Sequence, residues 1–230
     1  MTQIRTETRS NQLVSMNLLD AAKVSLRLTF PDLSGESYRA MFEDRDCSPA
    51  VAEILTRGEG MLFFVHADRI RHPHLVVNVV SQSNALGSTI PAGQEIAWSP
   101  SLSPTQVQIV DLLQLLRLPP LQIGFRRIAI VLSAWDKVAD EGRTPEEFLA
   151  ERLPLLDQYL RSGADNWVWR VYGVSAQGAD YEKENEKLSD SQRAKLQELR
   201  ALDEPSMRIR VVSEGPESRD LTEPIAWLMG

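Results

Sequence analysis

RIAIVLSAWDK, from Arg127 to Lys137, is the stretch on which the fold turns. Its apolar run, Ile128 to Leu132, is far too short for a membrane helix and too uniformly apolar for a strand with one wet face. That pattern belongs to a strand buried on both faces of a parallel sheet, with polar residues beginning at its carboxyl end. The same pattern recurs upstream in Gly60 to Val65 (GMLFFV) and downstream in Val168 to Val174 (VWRVYGV). Helix signals lie around and between these runs. Ser48 as N-cap with Pro49 at the first helical position opens a helix that Gly58 closes after Arg57. Ser103-Pro104 opens another, whose apolar face carries Val107, Val110, Leu112, Leu113, Leu115 and Leu116 and which Pro119-Pro120 stops. Thr144-Pro145-Glu146-Glu147 starts a helix that continues to about Arg161. Strands alternating with helices in this way predict an α/β fold: three layers, a mostly parallel central sheet with helices on both faces.

Farther out, Leu13 to Leu19 and Val24 to Phe30 read as a hairpin or two neighbouring strands, the second ending at Pro31-Asp32. Residues 67–103, rich in Pro, Gly, Ser and Asn, read as an insertion or long loop. Tyr181 to Leu202 reads as a solvated helix or loop, and Leu221 to Met229 as a closing helix capped by Asp220. The 230 residues form a single expected domain without internal repeats. A net charge of −7 argues against a nucleic-acid or anionic-membrane surface, and small ligands and proteins are the expected partners. Arg126-Arg127 and Arg69 with Arg71 are too few to change that. Lone Cys47 makes no internal disulfide and has no activating motif beside it. His66, Asp68, His72 and His74 lack a helical or strand framework for a metal and read as a polar loop. With a polar N-terminal stretch and no membrane-length apolar run, the expected location is the cytoplasm.

In a parallel sheet, ligands bind at the carboxyl ends of the strands. Three strand ends carry candidate chemistry. The first is Asp32-Leu33-Ser34-Gly35, in which a strand-end carboxylate can hold Mg²⁺ and a glycine N–H can meet a terminal phosphate. Taken alone, it is equally a glycine turn closing a strand. Asp136 follows the strand RIAIVL, and Ser175-Ala176 follows VWRVYGV.

The order Asp-x-x-Gly, strand-end Asp, strand-end Ser-Ala resembles the base-recognition half of a Ras-like P-loop GTPase. Longer phrases resemble the bacterial double-GTPases of nucleotide-dependent conflict systems: FPDLSGE at Phe30 to Glu36, PTQVQIVDLLQLL at Pro104 to Leu116, VLSAWDK at Val131 to Lys137, VYGVSAQGAD at Val171 to Asp180, and DLTEPIAWLM at Asp220 to Met229. The resemblance implies GTP and GDP with Mg²⁺ as ligands. It implies Asp32 at the metal, Gly35 at the γ-phosphate and Asp136 on the guanine edge. Ser175 and Ala176 would then meet the guanine oxygen, and Glu36 would stand where many relatives place a water-orienting Gln. Two family positions differ: Ser133 and Ala134 replace the Asn and Lys that precede the base-reading Asp, which leaves Trp135 or Lys137 to cover the base, although a Trp after a buried strand is more often simply packed, and an adenine nucleotide is a third reading.

The string Gly-x-x-x-x-Gly-Lys-Ser/Thr does not occur, and 31 residues precede Asp32. The expected fold is therefore P-loop-GTPase-like but lacks the first strand and phosphate loop, and nucleotide affinity and hydrolysis should be weak. Three arrangements fit: a product truncated upstream, a second chain that supplies the loop, or a pseudo-GTPase. The leading expectation is a regulatory switch that hydrolyses GTP only if the loop is supplied. The alternative is a nucleotide-free module that binds a partner protein, a second GTPase-like subunit or a regulator.

Overall fold

The computed structural model describes residues 12–19, 23–32, 41–73, 99–139, 142–179 and 189–230. They belong to two compact units, Met1–Gly58 with Leu115–Ile123, and Glu59–Gln114 with Gly124–Gly230.

In the first unit, β1 (Gln12–Leu19) and β2 (Ser25–Asp32) form the expected antiparallel hairpin. The register sets Met16 opposite Leu28 and Leu18 opposite Leu26, which makes one face apolar. The other face is mixed, with the Ser15 and Thr29 hydroxyls 3.2 Å apart and Asn17 opposite Arg27 between apolar residues at its ends. Helix α1 (Pro49–Arg57) follows its sequence signals: the Ser48 hydroxyl accepts from the Val51 N–H at 3.4 Å, and Gly58 N–H donates to the Ile54 carbonyl at 2.9 Å. Val51 is its buried residue. In Leu115–Ile123, Ile123 N–H returns to the Leu116 carbonyl at 2.9 Å and the Arg117 guanidinium donates to the Ile123 carbonyl.

The second unit contains a four-stranded sheet in the order β3 (Gly60–His66), β4 (Arg127–Ser133), β5 (Val168–Ser175), β6 (Arg210–Val212). The first three strands are parallel and β6 is antiparallel to β5. Ile128 to Leu132 of β4 are all buried, as their uniform apolarity requires. Register assigns the two faces. Leu62, Ala129 and Arg170 share a row, as do Phe64, Val131 and Tyr172. On that face Trp227 of helix α6 (Glu223–Met229; the intervening helices follow) meets Tyr172 edge-on at 6.5 Å, flanked by Arg127 and Arg170. The opposite face takes helix α3 (Pro145–Arg152), whose Phe148 meets Trp135 edge-on. Helix α4 (Pro154–Ser162) lies there too, with Arg161 over the Trp169 ring at 5.4 Å. Helices α2 (Thr105–Arg117) and α5 (Asp190–Arg200) are also present. The mixed α/β fold with a mostly parallel sheet is thus as expected.

The closing helix was expected from Leu221 with Asp220 as its cap, but it begins at Glu223 after Thr222, and the Asp220 carboxylate accepts instead from the Thr222 N–H at 2.8 Å. Two further local departures have physical causes. The helix expected from Thr144 to about Arg161 is two helices, because Pro154 lacks an N–H and forces Leu153 out of the helical region, to φ −132° and ψ 53°. The Gln106 side chain in α2 then accepts from Leu155 N–H at 2.8 Å, supplying the second helix with a cap its own sequence lacks. Strand β6 was not expected, since a three-residue strand gives no periodic signal. Of the long loop at 67–103, the ends are 3₁₀ turns, Ala67–Arg69 and Pro100–Leu102, while 74–98 lies outside the described residues.

Candidate functional site

β4 ends at Ser133, and the next residue, Ala134, adopts the left-handed conformation at φ 57° and ψ 38°. A non-glycine residue there is uncommon and reverses the chain sharply. The reversal leads into the 3₁₀ turn Trp135–Lys137, which separates three side chains by destination. Trp135 goes inward, only 2 % exposed, against Phe148 at 5.5 Å between ring centroids. It lies directly under Gly173 of β5, where a Cβ would stand 2.4 Å from Trp135 Cδ2. Gly173 is therefore required by close approach. Trp135 is a packing residue and does not cover a ligand.

Asp136 stays at the carboxyl end of the sheet, half-buried. The Ser175 hydroxyl, at the end of β5 and 1 % exposed, donates to Asp136 Oδ1 at 2.6 Å. The same Ser175 oxygen accepts from Gly178 N–H at 3.0 Å. One hydroxyl thus fixes both the carboxylate and the loop after β5. Gly178 sits at φ 78°, and a Cβ there would lie 3.2 Å from the Arg208 carbonyl oxygen, so glycine is needed on two counts. A carboxylate has about four acceptor sites on two oxygens, so Asp136 retains acceptor capacity for a pair of neighbouring N–H donors after binding Ser175.

Lys137 turns toward the end of β3. Its ammonium lies 2.9 Å from Asp68 Oδ2. Burial alone would raise the Asp68 pKa, but the hydrogen bond and charge of Lys137, with lesser help from its backbone N–H and Arg69, hold it below the usual carboxylate range. Beside this pair, Ser133 Oγ lies 3.3 Å from His66 Nδ1 and 3.4 Å from the Val65 carbonyl oxygen. His66 Nδ1 is also 3.9 Å from Asp68 Oδ1. Sequence reasoning placed His66 and Asp68 in a polar loop and missed their contacts with Ser133 and Lys137, which no local spacing announces.

Asp136, Lys137, Ser175 and Ala176 therefore sit on adjacent strand ends of one unit, with Ala176 exposed in the bend after β5. Asp32 is the last residue of β2 in the other unit, and Gly35 and Glu36 lie outside the described residues. Among the described residues, no group of three or more His, Cys, Asp or Glu is arranged to hold a metal ion. Burial, with the Asp46 charge second, pushes the Cys47 thiol up, away from nucleophile chemistry.

This geometry, a strand-end Asp held by a strand-end Ser at the carboxyl edge of a parallel sheet, meets a family match over residues 1–228 to the model described as Double-GTPase 1. The chain belongs to the Double-GTPase 1 family. Neither the curated proteins nor the solved structures gave a match. Membership makes this a GTPase-like domain, and guanine nucleotide with Mg²⁺ is what such a family binds in general. Among the described residues, no helix is long and apolar enough to cross a membrane.

Proposed function

We propose that this double-GTPase domain is a cytoplasmic regulatory switch of a bacterial conflict system, reading guanine nucleotide at the carboxyl end of its parallel sheet. The observation that supports it is the Ser175–Asp136 hydrogen bond of 2.6 Å, which presents an oriented carboxylate where guanine offers two adjacent N–H donors. Ser175 orients Asp136, and Ala176 supplies a backbone N–H toward the guanine oxygen. Asp32 and Gly35 are the residues proposed for Mg²⁺ and the γ-phosphate, and Glu36 the residue beside the attacking water. Release of the segment after Asp32 upon phosphate loss would signal to a protein partner, a second GTPase-like subunit or a regulator. Hydrolysis requires a phosphate loop, and the 230 residues hold no Gly-x-x-x-x-Gly-Lys-Ser/Thr.

Calorimetric titration of the chain with GTPγS and Mg²⁺ tests the reading. Weak binding is expected, lowered at least about a hundredfold in Asp136→Ala because two donors lose their acceptor. Ser175→Ala should lower it by about tenfold through loss of carboxylate orientation. Binding that is indifferent to Asp136→Ala, or that ATP displaces as well as GTP does, refutes guanine recognition at this site.

The second reading, a nucleotide-free interaction module, is favoured by one observation. Lys137, the residue left to lie along a base, has its ammonium in an ion pair with Asp68. Absence of nucleotide binding in the titration selects this reading.

A further inference from the structure

The charge of α5 predicts a solvated helix, and most of its residues are exposed. Two are not. Leu196 is 5 % exposed, and Leu199, one turn later on the same side, is half-buried. Leu199 rests on Gly178: a Cβ on that glycine would stand 3.1 Å from one methyl carbon of Leu199 and 3.3 Å from the other. From the same point the carbonyl oxygen of Arg208, in the 3₁₀ turn Pro205–Arg208, is 3.2 Å away. That turn leads into β6, whose Arg210 pairs with Ser175 of β5, so the ladder holds the carbonyl in place. Gly178 needs such walls. Without a side chain it passes readily between positive and negative φ, and little of its own keeps it at 78°. Its N–H nevertheless donates to the Ser175 oxygen at 3.0 Å, and this bond has a consequence at Asp136. A hydroxyl has one hydrogen and two lone pairs. With one lone pair of Ser175 taken by Gly178 N–H, its rotation is restricted and its hydrogen is directed at Asp136 Oδ1, 2.6 Å away.

We propose that Leu199 is a positioning residue for the carboxylate of Asp136: α5 presses Gly178 onto Ser175, Ser175 orients Asp136, and displacement of α5 opens the loop after β5 and releases the bound nucleotide. The two sides of the site differ in how firmly they are held. The turn that carries Asp136 is pinned by Trp135, 2 % exposed and packed against Phe148 and Gly173. The loop Ser175 to Gly178 is backed instead by a helix whose inward face is Leu196 and Leu199, so the loop is the side that gives. Ala176, proposed to meet the guanine oxygen, lies inside the same loop, and one displacement therefore withdraws both base contacts. The proposal rests on the guanine-site reading for what Asp136 binds, whereas the contacts from Leu199 to Asp136 exist without nucleotide.

The test compares the full chain with Leu199→Ala and with Leu199→Met, which keeps the side-chain volume. By NMR, amide exchange at Gly178 should speed up at least about tenfold in Leu199→Ala. The Asp136 carboxyl carbon resonance should move in the direction in which Ser175→Ala moves it, and Leu199→Met should leave both signals near those of the parent chain. In calorimetry, GTPγS with Mg²⁺ should bind Leu199→Ala at least about fivefold more weakly. When Ser175→Ala is already present the relay is cut, and the same substitution should then cost less than about twofold. Leu199→Val gives the same signs at smaller size and stands in if Leu199→Ala does not fold. Unchanged Gly178 exchange together with an unmoved Asp136 resonance overturns the proposal. So does an equal loss of affinity with and without Ser175→Ala, which would mean that Leu199 acts through stability alone. Absence of nucleotide binding to the parent chain, or binding indifferent to Asp136→Ala, sinks the guanine reading, and the Gly178 and Asp136 signals then decide the positioning role by themselves.

Discussion

Gly173→Ala places a methyl group where the indole of Trp135 already lies. The new Cβ would stand 2.4 Å from Cδ2 and 2.7 Å from Cε2 and Cγ of that ring, against the 3.5–4.0 Å at which carbon atoms ordinarily rest. Relief requires a displacement of about 1 Å, by arithmetic on those distances. The ring has little room to give it, since it is 2 % exposed and held edge-on by Phe148 at 5.5 Å. Gly173 lies mid-strand, opposite Leu132 of β4, so its backbone cannot swing away without breaking the ladder. Overpacking of this kind costs about 1–3 kcal/mol and sometimes more, and the closeness of the contact puts the expected loss near the top, about 3 kcal/mol. Urea denaturation followed by tryptophan fluorescence measures it. The decisive arm is a double-mutant cycle with Trp135→Leu, which by itself should cost about 2–4 kcal/mol through the cavity it leaves. Because the methyl group then enters space the indole vacated, the two losses should fall short of their sum by at least about 1 kcal/mol. Additivity within about 0.5 kcal/mol, or a single-mutant loss below that figure, would show that Trp135 and Gly173 are not in contact and would refute the packing argument.

Gly178→Ala meets a positive φ as well as the Arg208 carbonyl oxygen at 3.2 Å, and should lower the urea midpoint by the equivalent of about 1–3 kcal/mol. An unchanged midpoint would mean that the loop after β5 is free to relax. The Asp68–Lys137 pair, partly exposed, should contribute about 0.5–1 kcal/mol, read as the stability difference between the chain and Asp68→Asn. Asp68 has a folded pKa below its unfolded value, so this contribution is fully present above the unfolded value of about 3.9 and is lost as pH falls through the lower folded one. A difference that instead grows between pH 5 and pH 3 contradicts the assigned pairing.

The fold was legible wherever burial on both faces removes every polar residue from a segment. Ile128 to Leu132 is the clearest case, because a strand covered by helices on each side tolerates no alternation. Helix ends were legible where a cap satisfies orphan donors locally, as at Ser48 and at Thr144, whose side chain accepts from Glu147 N–H while Glu147 reaches back to Thr144. The break at Leu153 was missed because α3 and α4 lie on the same side of the sheet and bury one apolar series, Phe148, Leu149, Leu156 and Leu160. Periodicity followed that series across Pro154 and outweighed the missing N–H. Within the site, the positions of Asp136 and Ser175 at strand ends were legible. Their hydrogen bond was not, since it joins residues 39 apart through the register of β4 and β5. The Lys137–Asp68 pair, 69 residues apart, depends in the same way on β3 lying beside β4.

Those two ties bear on the residues that differ from the family pattern. The resemblance noted in the sequence implies an Asn and a Lys before the proposed base-reading Asp, the Asn tying loops together, and here Ser133 and Ala134 stand in those places. Ser133 is shorter than Asn, yet its hydroxyl reaches His66 and the Val65 carbonyl and so still joins the ends of β3 and β4. Lys137 adds a second link between the same strands through Asp68, and Asp136 links forward to β5 through Ser175. Trp135 pins the turn from below. A three-residue turn is therefore held from β3, from β5 and from the core at once, with one anchoring side chain from each of its residues. Such a turn holds Asp136 in a fixed orientation without an Asn at position 133, which is what the proposed recognition of a flat, two-donor edge would demand.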